Sequence, residues 1–414
     1  MSLESSAAIA VSHVDFPPPP DSGVTLARPA KSGARVAVDR AALVDALAFV
    51  KASCEAKSTM PILSCVRIAT DDRGLTVETT DLYRATRAHV DSSNESGEAF
   101  ELVTEHKALF AALKSIKASV VTLCPDKVSR GVAIEHASGR STFAGIDPSD
   151  FPPLPFAEGS TAPFEPFNAE TLATYMAAVL PCISADETRA HLNSMLVEAV
   201  AGRVVTLVST DGHRLAKVAI HAMAASTKPA QYLVPRLAAL QIAALAKGKG
   251  GPVTLSVGRG PMSAGNPTML QASRGERTIA VRLVDAQFPP YGQFIPQESA
   301  TRMTVARAAL ADGLKAMLPL TSERTGGIKL TIGPVTTIAP SDESGSHTLA
   351  ATVEGKACKI GYNAAYWLQW LASLPKKGGP DAVTVRLSGE LDPIVSVYPI
   401  GDAELTWVCM PMRM

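Results

Sequence analysis

The feature that most constrains this chain is a long-range internal repeat. The segments Arg40–Leu47 (RAALVDAL) and Arg307–Leu314 (RAALADGL) agree at six of eight positions. Each opens an apolar i, i+4, i+7 series: Leu43, Leu47 and Val50 in one, Leu310, Leu314 and Met317 in the other. That is the spacing of one helical face. Between them, Leu172, Met176 and Val179 repeat the series behind Asn168, a residue type that caps helix N-termini. The steps from Leu43 to Leu172 to Leu310 are 129 and 138 residues. A second helix is expected after Val103-Thr104, Val234-Pro235 and Tyr362-Asn363, and a β-rich run follows each, at Val120–Leu123, Val253–Leu255 and Val383–Val385. Thr79-Thr80-Asp81 and Ser209-Thr210-Asp211 repeat a strand-and-turn signal, and Phe151-Pro152-Pro153 and Phe288-Pro289-Pro290 close the first two units. A period of roughly 20–50 residues would mean a solenoid. One near 130 means repeated whole domains. The expected organisation is α+β: units over 34–160, 161–298 and 299–414, each with two helices and several short strands, behind a Pro-, Ser- and Gly-containing tail over 1–33 that is expected to be disordered.

The 39 Lys+Arg balance the 39 Asp+Glu, which excludes a simple polycation that coats nucleic acid. Positive charge would have to be segregated onto one surface. In the helix expected over 105–117, Leu109, Leu113 and Ile116 share one side, with Lys107, Lys114 and Lys117 roughly opposite. Arg40, Lys51, Lys57, Arg236, Lys247, Lys249, Arg307, Lys315, Lys376 and Lys377 lie in or beside the other helices. Such spaced charges read either as an ordinary solvated face or as loose, sequence-independent contact with phosphates. Only 5% of the chain is aromatic, too few for single-strand stacking. Trp367 and Trp370, at i and i+3 of a helix, read as core.

Catalytic signatures are missing: no phosphate loop, no metal-ligand spacing and no nucleophile elbow. Asp71, Asp72, Asp81 and Asp211 read as turn residues, and His213 has no nucleophile or metal set beside it. No cofactor and no metal are expected. Six cysteines without a C-x-x-C read as buried thiols in a reducing compartment. No apolar run reaches the roughly 18–20 residues of a membrane span, and no secretion signal is expected. The expected location is the cytoplasm.

Leu192–Leu196 (LNSML), Ser209–Ala216 (STDGHRLA) and Met410–Met414 (MPMRM) together resemble the bacterial DNA polymerase III beta subunits, the beta sliding clamps. Ser58–Leu63 and Leu283–Pro289 support the likeness, which spans about residues 34–414. The resemblance implies three clamp-fold domains with antiparallel sheets outside and helices inside, two chains closing head to tail into a ring around duplex DNA. It implies a processivity factor without an active site, operating in the nucleoid. The expected partners are the polymerase III alpha subunit, the clamp loader, and other polymerases and repair proteins that carry a clamp-binding peptide. The family's peptide pocket maps onto Leu192, Thr210, Gly212, His213, Arg214, Leu215, Pro289, Phe294, Tyr366, Met410, Pro411, Met412 and Arg413. Phosphate contact falls to Lys57, Lys107, Lys114, Lys117 and Arg189, and ring closure to Phe143, Pro319 and Leu320. Gln293 and Phe294 replace a basic and a small aliphatic residue common in the family, and Gly145 replaces a bulky interface residue of one relative. A specialised clamp paralogue is the alternative reading.

Overall fold

The computed structural model describes residues 33–413 apart from 56–57, 72, 95–96, 157, 201–203, 222–228, 249, 261–267, 323–324 and 377, and apart from the side chains at 158, 159 and 200. The expected tail, Lys57, Lys249, Lys377 and Met414 lie outside the described residues. Six α-helices occur among the described residues: α1 (Arg40–Val50), α2 (His106–Ser115), α3 (Ala169–Val179), α4 (Arg236–Lys247), α5 (Arg307–Met317) and α6 (Ala364–Ser373). The repeated apolar series of α1, α3 and α5 is buried throughout, as its spacing requires. Asp39 caps α1 by accepting from Ala42 N at 2.7 Å, and Asn168 caps α3 by accepting from Thr171 N at 3.1 Å. At α5 the same position is Ala306, which cannot cap. α2 is shorter than its charge pattern implied. Ile116 turns to an extended conformation after Ser115, so Lys117 sits in the following link rather than on the helical stripe.

The strands pair antiparallel into four sheets. Two of these have nine strands and cross between units. One joins strand Arg84–Val90 to strand Arg277–Arg282, and the other joins strand Arg214–Ile220 to strand Ala403–Cys409. Among the described residues, strand Gly139–Phe143 stands at one end of the remaining five-stranded sheet and strand His347–Leu349 at one end of the four-stranded sheet. Each unit packs its helices on its own strands. The first unit has its own apolar core, and a larger continuous core serves the other two. Trp367, Trp370 and Trp407 lie at its centre, with Trp370 and Trp407 stacked at 4.3 Å, so the tryptophans are structural.

The repeated Thr/Ser-Thr-Asp signal has a common purpose. The hydroxyls of Thr79 and Ser209 donate to the last carbonyls of α1 and α3, Val50 O and Val179 O, which have no partner inside the helix. Arginines cap the second helices similarly. Arg40 donates to Leu113 O at 3.4 Å and Ala118 O at 2.8 Å, and Arg307 to Leu371 O at 2.7 Å and Leu374 O at 2.9 Å. In the second unit Arg274, from a strand, donates to Leu245 O at 3.0 Å and Ala246 O at 2.7 Å. Arg40 and Arg307, read from sequence as basic flanks, are therefore occupied by helix ends.

Candidate functional site

The turn Thr210–Arg214 opens the site. Thr210 Oγ1 accepts from Gly212 N at 3.1 Å and donates to Arg214 O at 2.7 Å, while Asp211 Oδ1 accepts from His213 N at 2.9 Å and Arg214 N at 3.0 Å. Gly212 has φ +91, a left-handed conformation that glycine adopts without strain. Arg214 then links two units. Its Nε donates to Asp211 Oδ2 at 2.9 Å and its Nη1 to Gln369 Oε1 at 2.7 Å, and its guanidinium lies 4.2 Å over the Tyr366 ring. The His213 ring stacks on the same tyrosine at 6.5 Å. The C-terminal segment is fixed on both sides: Met410 N donates to His213 O at 2.8 Å, and Met412 N to Gly361 O at 2.7 Å.

These contacts enclose an apolar cleft of about 180 Å³. Leu192, Thr210, Gly212, Arg214, Leu215, Pro289, Phe294 and Met410 line it, so eight residues expected from sequence converge. Its walls also include Tyr291 and Val408, which sequence reasoning missed. Val408 stands two residues before Met410, and the period of two along a strand carries that signal. Tyr291 donates its hydroxyl to Glu198 Oε2 at 2.8 Å. Burial and that carboxylate push its ionisation well above the ordinary range. Phe294 remains 43% exposed at the mouth. His213, Tyr366, Pro411, Met412 and Arg413 lie outside the set lining the cleft; His213 and Arg413 are exposed, while Tyr366, Pro411 and Met412 are half-buried.

The chemistry available here is binding. Burial pushes the thiols of Cys182 and Cys409 up to about 12, so both stay protonated and poorly nucleophilic. No group of three or more His, Cys, Asp or Glu among the described residues could hold a metal ion. Buried leucine and half-buried methionine and proline surfaces beside exposed polar groups suit a short apolar peptide segment.

The described members of the expected phosphate-facing set fall on one helix and two connections, Lys57 lying outside the described residues. Lys107 and Lys114 are exposed on α2, seven residues apart and hence on one face. Lys117 is exposed in the link behind them, and Arg189 is exposed in the loop before strand Ser194–Val200, with its Nε 2.8 Å from Asp186 Oδ2. α4 presents Leu237 and Leu240 to solvent, with Lys247 exposed at its last position. The expected ring-closure residues sit at the sheet ends formed by strands Gly139–Phe143 and His347–Leu349. Phe143 ends strand Gly139–Phe143 and packs on the first core. Pro319 and Leu320 are exposed after α5, with Leu320 beside Gly345, two residues ahead of strand His347–Leu349. Gly145 has a local cause: a Cβ there would lie 2.1 Å from Arg130 O.

Three related α+β units, sheets continuous across their boundaries and an apolar cleft between the last two define a clamp-type protein. Residues 34–155 match the family model for the N-terminal domain of the DNA polymerase III beta subunit, and residues 167–290 match that for its central domain. The chain belongs to the DNA polymerase III beta subunit family. It is 26% identical over 383 residues to the beta sliding clamp of Pseudomonas putida KT2440, covering 91% of this chain and 99% of that one. It is 25% identical over 404 residues to that of Caulobacter vibrioides NA1000, covering 92% and 100%. The crystal structure of the DNA polymerase III subunit beta from Pseudomonas aeruginosa superposes with a TM-score of 0.82 at 24% identity, covering 92% of this chain and 100% of that one, and shares the fold. Like those relatives the chain is a DNA sliding clamp, a processivity factor and not an enzyme.

Proposed function

We propose that two copies of this chain close head to tail around duplex DNA and hold replication and repair proteins by a peptide seated in the cleft between the second and third units. The observation that carries this reading is that strands Gly139–Phe143 and His347–Leu349 each end a sheet among the described residues. The repeat makes strands Arg84–Val90, Arg214–Ile220 and His347–Leu349 equivalent, and likewise strands Gly139–Phe143, Arg277–Arg282 and Ala403–Cys409. Two of the three possible pairings are made within the chain. The third needs a second copy, and a heterologous contact that closes after two copies gives a ring. Twelve inner helices at ~8–10 Å spacing make a circle of roughly 100–120 Å, leaving a hole of about 20–30 Å. A duplex fits without being gripped. Domain limits at 34–160, 161–298 and 299–414 and a cytoplasmic, nucleoid location belong to the same reading, as do the polymerase III alpha subunit and clamp loader as partners. None of the comparisons favours the paralogue reading.

Topological binding has a specific test. Protein loaded onto nicked circular DNA should survive a high-salt wash and be lost when the circle is linearised. Equal salt-sensitive release from circle and line would overturn the ring. In the same assay Phe143→Asp with Leu320→Asp should give a monomer by light scattering and no retention.

A further inference from the structure

One row of the sheet shared by the second and third units runs outward from the floor of the cleft. Leu215 faces Val408, Val408 faces Val395, Val395 faces Arg386, Arg386 faces Arg302, and Arg302 faces Glu354. The first three are buried with Phe288, against Tyr291 and Ile295. The row then becomes basic. Two guanidinium groups directly opposed on antiparallel strands repel each other. Arg302 reaches only Glu354, at 3.9 Å and with both side chains largely exposed. The Arg386 side chain makes no ion pair among the described residues.

Both arginines line a groove of about 750 Å³, together with Lys217 and one acid, Glu404. Lys217 likewise has no ion-pair partner among the described residues. Tyr291 is shared between this groove and the apolar cleft, so the turn Tyr291–Phe294 is the ridge that separates them. Three cations face one carboxylate, next to a site suited to an apolar peptide.

We propose that this groove receives an acidic flank of the partner segment whose apolar side chains fill the cleft, with Arg386 and Arg302 binding the flank's carboxylates. The proposal rests on the peptide reading of the cleft. Strands lie ~4.8 Å apart, which puts Arg386 about 10 Å and Arg302 about 14 Å from Val408. An extended segment covers that in about 3–4 residues, and one or two more take it over the ridge. Carboxylates about four to six residues from the apolar anchor therefore reach the arginine pair, where bidentate contact is available. They also relieve the repulsion along the row.

Fluorescence anisotropy with synthetic peptides on the full chain tests this. All peptides share one apolar core. One carries serines on both flanks, and two others carry Asp or Glu at four to six residues from the core, on the N-terminal or the C-terminal side. One acidic peptide should bind about 3–10-fold tighter than the serine peptide at low salt, a gain of the size expected for partly exposed charge pairs, and high salt should erase the difference. The Arg302→Ser, Arg386→Ser double variant should bind the serine peptide as the parent does and show no acidic gain. Equal affinities for all three peptides, or a gain that persists in the double variant, would overturn the acidic flank while leaving the cleft intact. Failure of all three to bind would overturn the peptide reading of the cleft and the flank with it.

Discussion

At the scale of single residues, Arg214 shows how a rim ligand becomes a structural one. By type it could bind carbonyls or carboxylates of a partner. In place it is 8% exposed and already holds Asp211, Gln369 and the Tyr366 ring. It positions the turn that shapes the cleft. Arg214→Ala leaves Asp211 without its charged partner and should cost about 1.5–3 kcal/mol of stability, read as a lower thermal midpoint. Arg214→Lys should recover little of it, because an ammonium lacks the planar fork that serves two acceptors and a ring face. A midpoint unchanged in both variants would contradict this account. Gly145 marks the limit of family comparison at a single position: its identity follows from the backbone 2.1 Å from its missing Cβ, a contact invisible in one dimension. A leucine there should destabilise the first unit rather than strengthen ring closure, by about 1–3 kcal/mol for overpacking.

At the scale of elements, the helices were legible because each carries its own apolar period and, in α1 and α3, its own N-cap. Their C-terminal ends were not, since Arg40, Arg274 and Arg307 reach them from 28 to 78 residues away. The stripe on α2 lost Lys117 because the extended Ile116 that ends the helix leaves no periodic signature. On its buried side α2 carries His106, whose Nε2 meets Leu47 O at 2.8 Å and whose ring stacks on Phe110 at 5.6 Å. The carbonyl can only accept, so that nitrogen carries the proton. Burial holds this imidazole below its ordinary value of 6.5. The unfolded chain takes up the proton first as pH falls, so the histidine's stabilising contribution is full above about 6.5 and declines below it, toward the lower folded value. Melting should therefore shift down between pH 7.5 and pH 5.5. His106→Gln, which keeps a donor for Leu47 O, should flatten that shift; an identical slope in the variant would assign the titration elsewhere.

At the scale of the whole molecule, zero net charge is compatible with DNA because the cations are placed unevenly. α2 offers Lys107 and Lys114 to solvent on one face, while α4 offers Leu237 and Leu240 there and a single lysine, Lys247, at its end. Lys107→Glu with Lys114→Glu should shorten retention on nicked circles and make the logarithmic salt slope shallower by about 1.8, the loss of two phosphate contacts, without changing the melting midpoint. Retention equal to the parent's would place the DNA path off α2. The sequence alone determined the threefold repeat, the six helices, the buried faces of α1, α2, α3 and α5 and the Thr210–Arg214 turn, because all of these arise from spacing and hydrogen bonds within a few residues. It also identified most of the cleft, through strings that resemble a known family. Only the tertiary structure decided which strands end a sheet among the described residues, how Val408 and Tyr291 join the cleft, and that Arg302 and Arg386 oppose each other in line with its floor. Those facts depend on strand register, and register is set by packing between segments far apart in the chain, 84 residues for Arg302 and Arg386 and 193 for Leu215 and Val408.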